Sequence, residues 1–336
     1  MESILLLVHT EADGALAKPA LEALTSALAL GGELTVGLVG GAVEPAARIA
    51  AGAGARRILA VAGDEFTQPR YATDAAAAEA IARAAGAAIV LAPGTARWSR
   101  ALAGVAYRLG GRIDTHATGL TVRDGAPSVT RWFYRQRMEA VLTRTARPWF
   151  VLLDVGCVAP WEGAPAASAQ VETIAVAATQ SRTTVTGVQA PKADEQTIRP
   201  DAKLLFVAGA GWTKKQPDGA VHIEEAQQLI LGALRGAQAS LGGSKSLVDS
   251  TGEGEAVLPF MTHLNQVGQT GSTPRHQKGL STCCHGEEPH VVGWRFVTER
   301  RAVNLDANCG WARGKADVVY VADAFAVVRE LNRLLG

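Results

Sequence analysis

Short apolar runs alternate with amphipathic segments through the first half of the chain. Residues 4–8 form an apolar run typical of a buried strand, and residues 18–30 repeat alanine and leucine at helical spacing before Gly31-Gly32. Ser99 is placed to cap a helix that runs to Leu109. Further strands are predicted at 34–39, 58–61 and 88–92, and helices at 45–51 and 75–85. This alternation predicts βαβ units with a parallel sheet.

The pattern changes in the middle of the chain. Strand-like runs at 128–133, 138–142 and 149–153 leave little room for helices, which predicts an antiparallel extension of the first sheet. Residues 159–202 are rich in Ala, Thr, Pro and Gln, with one strand-like piece at 173–177, and predict a linker with a boundary near residue 195.

The second half restarts the alternation. Strands are predicted at 204–208, 291–292, 302–304 and 318–322, and helices at 224–241 and 324–335. The predicted fold class is therefore α/β, with two domains at 1–190 and 195–336. Each is expected to be a mainly parallel sheet flanked by helices.

The composition and net charge of the chain argue against some classes of protein. The chain has 336 residues, of which 48% are hydrophobic and 19% charged, and its formal net charge is +1. This balance argues against a nucleic-acid binder, which usually carries a basic excess. No signal peptide and no apolar stretch of about 20 residues is evident, so we expect a cytoplasmic protein without membrane insertion. The Ala-, Gly- and Arg-rich composition is typical of a bacterial protein.

Polar and glycine-rich segments follow the predicted strands of the second half. Ligands of open parallel sheets bind beyond the carboxyl ends of the strands, and a dinucleotide needs backbone N–H groups close to its phosphates. No G-x-G-x-x-G or P-loop motif is present, and each glycine is explained as well by a turn with positive φ. The candidate residues are Gly209, Gly211, Ser244, Lys245, Gln269, Thr270, Gly271, His285, Gly286, His290, Asn304, Asp306 and Asp323.

A metal site and an acid–base pair are both disfavoured. Cys283, Cys284 and Cys309 lack paired C-x-x-C spacing, and small thiols that pack a strand end are the simpler interpretation, so no metal is expected. Glu287 and Glu288 are adjacent, and adjacent carboxylates seldom cooperate as acid and base.

The run Gln-Val-Gly-Gln-Thr-Gly at 266–271 resembles the flavin-loop signature of the electron transfer flavoprotein alpha subunit. The segments 207–211, 243–249, 302–306 and 321–325 stand around it in the same order as in that family. The N-terminal segments 11–15, 21–24 and 30–33 are also similar, so that the resemblance covers essentially the whole chain.

That resemblance implies a two-domain subunit with FAD on the second domain and a beta subunit as its partner. Electrons would pass from a donor dehydrogenase or demethylase to an acceptor oxidoreductase. Gln269 and Thr270 would contact the isoalloxazine, and a cationic His290 would stabilise the anionic reduced flavin and raise its potential. Asn304 and Asp323 match positions on the ribityl–adenosine side.

Three departures indicate a divergent branch. Trp212 follows Gly211 where the family commonly has arginine, and Lys245 replaces a second arginine, which keeps the charge but loses the planar fork. The turn before the histidine reads Cys284-His285-Gly286, so only its glycine is kept, and His285 is either a flavin contact or an ordinary loop histidine.

Two other functions stay open. A self-sufficient dehydrogenase with FAD or NAD would need a substrate pocket with a base, which the sequence does not place. A cofactor-free scaffold is suggested by the missing arginine and the altered turn. The leading hypothesis is an electron carrier rather than an enzyme with its own substrate.

Overall fold

The computed structural model describes two compact units, Met1–Val188 and Gln189–Gly336. The residues described are 2–133, 138–177, 179–180, 182–187, 198–199, 202–249, 256–267, 275–282, 297–309, 312–313 and 316–336.

The first unit is built on a sheet with the strand order β7-β6-β5-β8-β4-β1-β2-β3-β9. β5–β6 and β6–β7 pair in antiparallel fashion, and the other neighbours are parallel. Its strands are β1 (Ile4–His9), β2 (Leu34–Gly40), β3 (Arg57–Ala62), β4 (Ile89–Pro93), β5 (Arg112–Arg123), β6 (Ala126–Phe133), β7 (Met138–Leu142), β8 (Trp149–Leu153) and β9 (Glu172–Thr173). Its helices are α1 (Lys18–Ala29), α2 (Glu44–Gly52), α3 (Tyr71–Ala85) and α4 (Ala96–Arg108).

Both faces of this sheet are covered by helices. Successive side chains of a strand point to opposite faces. Ile4 and Leu6 of β1 therefore pack with α1 and α2, whereas Leu5 and Leu7 pack with α3 and α4. A strand buried on both faces must be apolar throughout, which is why β1 was visible in the sequence as a continuous run.

The predicted strands and helices of the first half are confirmed, with four corrections. Thr95 rather than Ser99 caps α4, because its hydroxyl accepts from the Trp98 amide (3.4 Å). β5 was not predicted, since its polar residues hide the strand. β8 is parallel to β4 and β5, so the antiparallel extension comprises β5 to β7 only. The predicted strand at 173–177 is reduced to β9.

The second unit contains a parallel sheet with the strand order β11-β10-β12-β13-β14. Phe206 and Ala208 of β10 pack with the long helices α5 and α7, while Leu205 and Val207 form a small core on the other face. Its strands are β10 (Leu204–Ala208), β11 (Ser240–Gly243), β12 (His276–Thr282), β13 (Val297–Asn304) and β14 (Val318–Val321). Its helices are α5 (Ile223–Gly236), α6 (Lys245–Asp249) and α7 (Ala324–Leu335).

Several predicted boundaries in this unit were wrong. The helix expected at 224–241 ends at Gly236, because Gln238 adopts φ 49° and the Ala239 amide donates to the Leu234 carbonyl (2.9 Å). The residues that follow form β11. β12 was not predicted, and the strand expected at 291–292 lies outside the described residues. The described helices include none with both the length and the apolar character needed to cross a membrane.

Candidate functional site

The parallel register of the second sheet brings the ends of its strands to one edge. Ala208 is opposite Gly243 and Thr282, Thr282 is opposite Val303, and Asn304 is opposite Val321. The sequence-predicted residues Gly209, Gly211, Ser244, Lys245, Asn304, Asp306 and Asp323 therefore end or follow these strands at the same edge. Open α/β sheets bind their ligands at this edge.

The strand order also locates a crevice at this edge. β10 is flanked by β11 on one side and by β12 on the other, so the winding of the chain reverses between β10 and β12. Loops leave the two strands in opposite directions at such a point and open a space for a ligand.

Trp212 lies in the segment that follows β10, beside the end of β12. Its side chain is fully buried, and its indole N–H donates to the Thr282 hydroxyl (2.9 Å). Its ring lies 4.6 Å from that of Phe325, at the start of α7. The residue at the position where the resemblance implies an arginine is therefore a buried side chain, and it offers no charge to a ligand.

Hydrogen bonds to backbone groups of Gly209 and Gly211 hold the first glycine loop. The Gly209 amide donates to the Thr282 carbonyl (3.2 Å), and the Gln216 side-chain amide donates to the Gly211 carbonyl (3.0 Å). Gly209 has φ −93°, so the interpretation of this glycine as a turn with positive φ is wrong.

Ser244 and Lys245 lie at the end of β11. The Ser244 hydroxyl is fully buried and accepts from the Leu247 amide (3.2 Å), so it caps the short helix α6. The Lys245 side chain is exposed at the start of that helix. Ser244 therefore fixes the backbone at the start of α6, and Lys245 places a positive charge on the surface there.

Asn304 presents a buried donor at the end of β13. Its residue is 1% exposed, and its Oδ1 accepts from the Asp306 amide (2.8 Å), which fixes the orientation of the side-chain amide. Its Nδ2 has no hydrogen-bond partner within the described chain. The Ser281 hydroxyl is likewise buried without a partner. Ser281 is opposite Ala302, two residues before Asn304, so both groups share one face of the sheet.

Two acidic side chains complete the described part of this edge. One carboxylate oxygen of Asp306 accepts from the Asn308 amide (2.8 Å). One oxygen of Asp323 accepts from the Ala326 amide (2.8 Å) and so caps α7, which leaves its second oxygen for another donor.

The remaining predicted residues, Gln269, Thr270, Gly271, His285, Gly286 and His290, lie outside the described residues, as do Cys283, Cys284, Glu287 and Glu288. In the described ranges, no group of three or more His, Cys, Asp or Glu is arranged to hold a metal ion.

Sequence reasoning missed Ser281 and Thr282. Both belong to β12, whose polar residues gave no apolar run, and the pair Ser281-Thr282 at its end was the only available signal.

Comparisons with known proteins identify a family for the first unit. The family described as "Electron transfer flavoprotein domain" matches residues 4–179. No curated protein matches the chain. Among solved structures, a glycosyltransferase of Streptomyces sp. SF2575 is 11% identical, with a TM-score of 0.27, over 100% of this chain and 94% of that one. A likeness at that level carries no argument about fold or function.

Proposed function

Because this chain belongs to the electron transfer flavoprotein family, we propose that it is an alpha subunit whose second unit is a Rossmann-like domain that binds FAD. In this proposal it forms a heterodimer with a beta subunit. It carries electrons in the cytoplasm from a donor dehydrogenase or demethylase to an acceptor oxidoreductase. It has no substrate of its own.

The unpaired donor of Asn304 is the observation that carries the proposal. A buried donor without an acceptor destabilises a protein by about 1–3 kcal/mol. Its Nδ2 lies at the edge where parallel sheets bind nucleotides, and the Ser281 hydroxyl accompanies it on the same face. The ribityl and phosphate oxygens of FAD are acceptors for such a donor. The described residues therefore fit this cofactor.

The other residues of the edge take complementary roles in this proposal. The free oxygen of Asp323 accepts from ribose hydroxyls, and the exposed Lys245 places a positive charge near the cofactor's negative groups. Gly209, Gly211, Ser244 and Asp306 shape the backbone against which the cofactor lies. FAD supplies the redox chemistry when it is bound.

The loops beyond the described residues complete the proposed site. Gln269, Thr270 and Gly271 would lie along the flavin. His290 would place an imidazolium near its pyrimidine edge, where a positive charge favours the reduced anion. His285 and Gly286 would form the turn before it.

A cofactor-free scaffold is the second candidate, and Trp212 favours it. The fully buried indole bonds to Thr282 at the end of β12 and brings no charge to this edge of the sheet. A site without the arginine has less electrostatic attraction for a pyrophosphate. The scaffold and the carrier therefore differ in whether the complex takes up FAD.

The test uses the chain co-expressed with a beta subunit of the same family. After anaerobic photoreduction, the complex should be reoxidised stoichiometrically by a one-electron acceptor such as ferricenium. It should not oxidise a panel of amines and acyl thioesters without a donor enzyme. Direct turnover of a panel member would establish a dehydrogenase instead, and a complex that takes up no FAD would establish the scaffold.

A further inference from the structure

A cavity of about 390 Å³ lies in the first unit, and its lining includes none of the residues of the proposed FAD site. It is formed by residues that directly follow β1, β2 and β4, together with the segment after β3. The residues that matter here are His9, Thr10, Gly41, Thr67, Thr95 and Arg97.

The sheet topology explains why a cavity forms at this place. β1 is flanked by β2 on one side and by β4 on the other, so the winding of the chain reverses between β1 and β4. His9 ends β1, and Pro93 ends β4, and both line the cavity. The crevice at such a reversal is where doubly wound sheets bind small molecules.

The cationic side chain that lines the cavity is already paired, which disfavours a polyanion as the ligand. Arg97 alone among the described lining residues is a permanent cation. Its Nε and Nη2 donate to Asp74 Oδ1 (2.9 and 2.7 Å), and Nη2 also donates to the Phe66 carbonyl (2.5 Å). Asp74 is fully buried and is shared with Arg100, whose Nη2 donates to its other oxygen (3.4 Å), so the Arg97 fork is already occupied by protein acceptors. With the exposed carboxylate of Glu11 at the rim, the cavity offers no free guanidinium fork for a chain of phosphates.

A flat, uncharged ring forms one wall. His9 stacks on the buried indole of Trp98, with ring centroids 3.8 Å apart and an interplanar angle of 15°. Burial lowers the pKa of His9 to about 2, and the nearby charge of Arg97 adds to the effect, so the imidazole is neutral at physiological pH. The nearby Val39 carbonyl acts in the opposite direction and raises the pKa of His9. Neither ring nitrogen, however, makes a hydrogen bond of ordinary geometry within the described chain.

Hydroxyl groups supply the polar contacts. The Thr10 hydroxyl donates to the Ala42 carbonyl (2.7 Å), so its oxygen can still accept. The Thr95 hydroxyl accepts from the Trp98 amide, so its proton can still be donated. Pro19, Ala20 and Pro93 make most of the remaining wall apolar. A largely apolar cavity with a few polar groups is typical of a small-molecule site.

We propose that this cavity binds a small planar heteroaromatic molecule that carries at most one negative charge. Its ring lies against the His9–Trp98 stack, and its polar substituents reach the hydroxyls of Thr10 and Thr95. Stacked aromatic contacts of this kind add to the affinity that comes from burial of area.

The experiment is calorimetric titration of the co-expressed, FAD-saturated complex with adenosine, quinazolin-4-one and indazole as uncharged planar probes. Inorganic pyrophosphate serves as the polyanion. At least one planar probe should bind, and pyrophosphate should not. Ala12→Trp, at the exposed rim of the cavity, should weaken the binding of that probe at least tenfold. Ala84→Trp, on the exposed end of α3, is the matched control and should leave binding unchanged.

Three results would overturn the proposal. They are the absence of binding by all three planar probes, equal binding by the Ala12→Trp variant, and competition by pyrophosphate. Since the complex is saturated with FAD before the titration, failure of the planar probes to bind would not count against the proposed electron-carrier function. A complex that cannot be saturated with FAD would contradict the electron-carrier function. The same titration of the FAD-free complex would then test the cavity proposal by itself.

Discussion

The indole N–H of Trp212 donates to the hydroxyl of Thr282 (2.9 Å), and that hydroxyl donates in turn to the Val207 carbonyl (3.0 Å). This chain of hydrogen bonds links the first glycine loop to the ends of β12 and β10. These strands border the point where the winding of the second sheet reverses. The Trp212–Thr282 pair therefore holds together the strand ends that border the proposed FAD crevice.

We expect Thr282→Val to destabilise the protein by about 1–3 kcal/mol, because the buried indole N–H would lose its acceptor. The measurement is the free energy of unfolding in urea. Thr282→Ser keeps the hydroxyl and should recover part of the loss. Equal stability of the valine and serine variants would show that the hydrogen bond contributes nothing.

A buried carboxylate should be important for the first unit. Asp114 is 1% exposed and accepts from Arg131 (3.1 Å), Trp149 (2.9 Å) and Arg144. Burial raises the pKa of Asp114, but the hydrogen bonds from Arg144 and Trp149 and the charge of Arg144 outweigh it, and the net pKa is lowered. The carboxylate therefore contributes stability above its unfolded pKa of about 3.9, and that contribution is lost as the pH falls further.

The corresponding variant is Asp114→Asn. It leaves Arg131 and Arg144 without their counter-charge and should lower the free energy of unfolding by about 3–5 kcal/mol at pH 7. The difference from the wild type should shrink below about pH 4. Glu139→Gln, an exposed carboxylate on β7, should have almost no effect. A loss for Asp114→Asn as small as for Glu139→Gln would contradict this account.

His9 should make the first unit sensitive to mild acid. Its pKa is about 2 in the folded chain, well below its ordinary value of 6.5. As the pH falls, His9 is therefore protonated in the unfolded chain at a higher pH than in the folded chain. Stability is then lost progressively below about pH 6.5, by about 2 kcal/mol at pH 5 relative to pH 7.5. His9→Phe keeps the contact with Trp98 and should flatten this dependence. An unchanged pH profile in the variant would refute the assignment.

Asn304 should decide the affinity for FAD. Asn304→Ala removes the buried Nδ2 donor and should weaken FAD binding by about 1–3 kcal/mol, which is roughly 5- to 150-fold. Gln228→Ala removes an amide from the exposed face of α5 and serves as the control. Fluorescence titration of the FAD-free complex measures both. If the two variants bind FAD equally, Asn304 has no contact with the cofactor.

The strands that stand out most clearly in the sequence are those buried on both faces. β1, β4 and β8 are continuous apolar runs because helices or neighbouring strands cover them on either side. β5 and β12 escaped prediction because they carry functional or structural polar groups: Asp114 is buried in an ion-pair network, and Ser281 and Thr282 end β12 at the candidate site.

The same distinction applies to the candidate site. Glycines and polar residues after apolar strands indicated one edge of the sheet, and those within the described residues lie there, since parallel strands share one carboxyl edge. The burial of Trp212 was not visible, because it depends on the approach of Thr282 and Phe325, which are distant in sequence. Nor could the sequence show that only one half of the Asn304 amide is paired.

Whether the purified complex with a beta subunit holds FAD can be read from its visible absorption spectrum. We expect flavin bands and about one FAD released per copy of this chain on denaturation. A colourless complex that stays colourless when FAD is added would contradict this expectation and make the chain a scaffold.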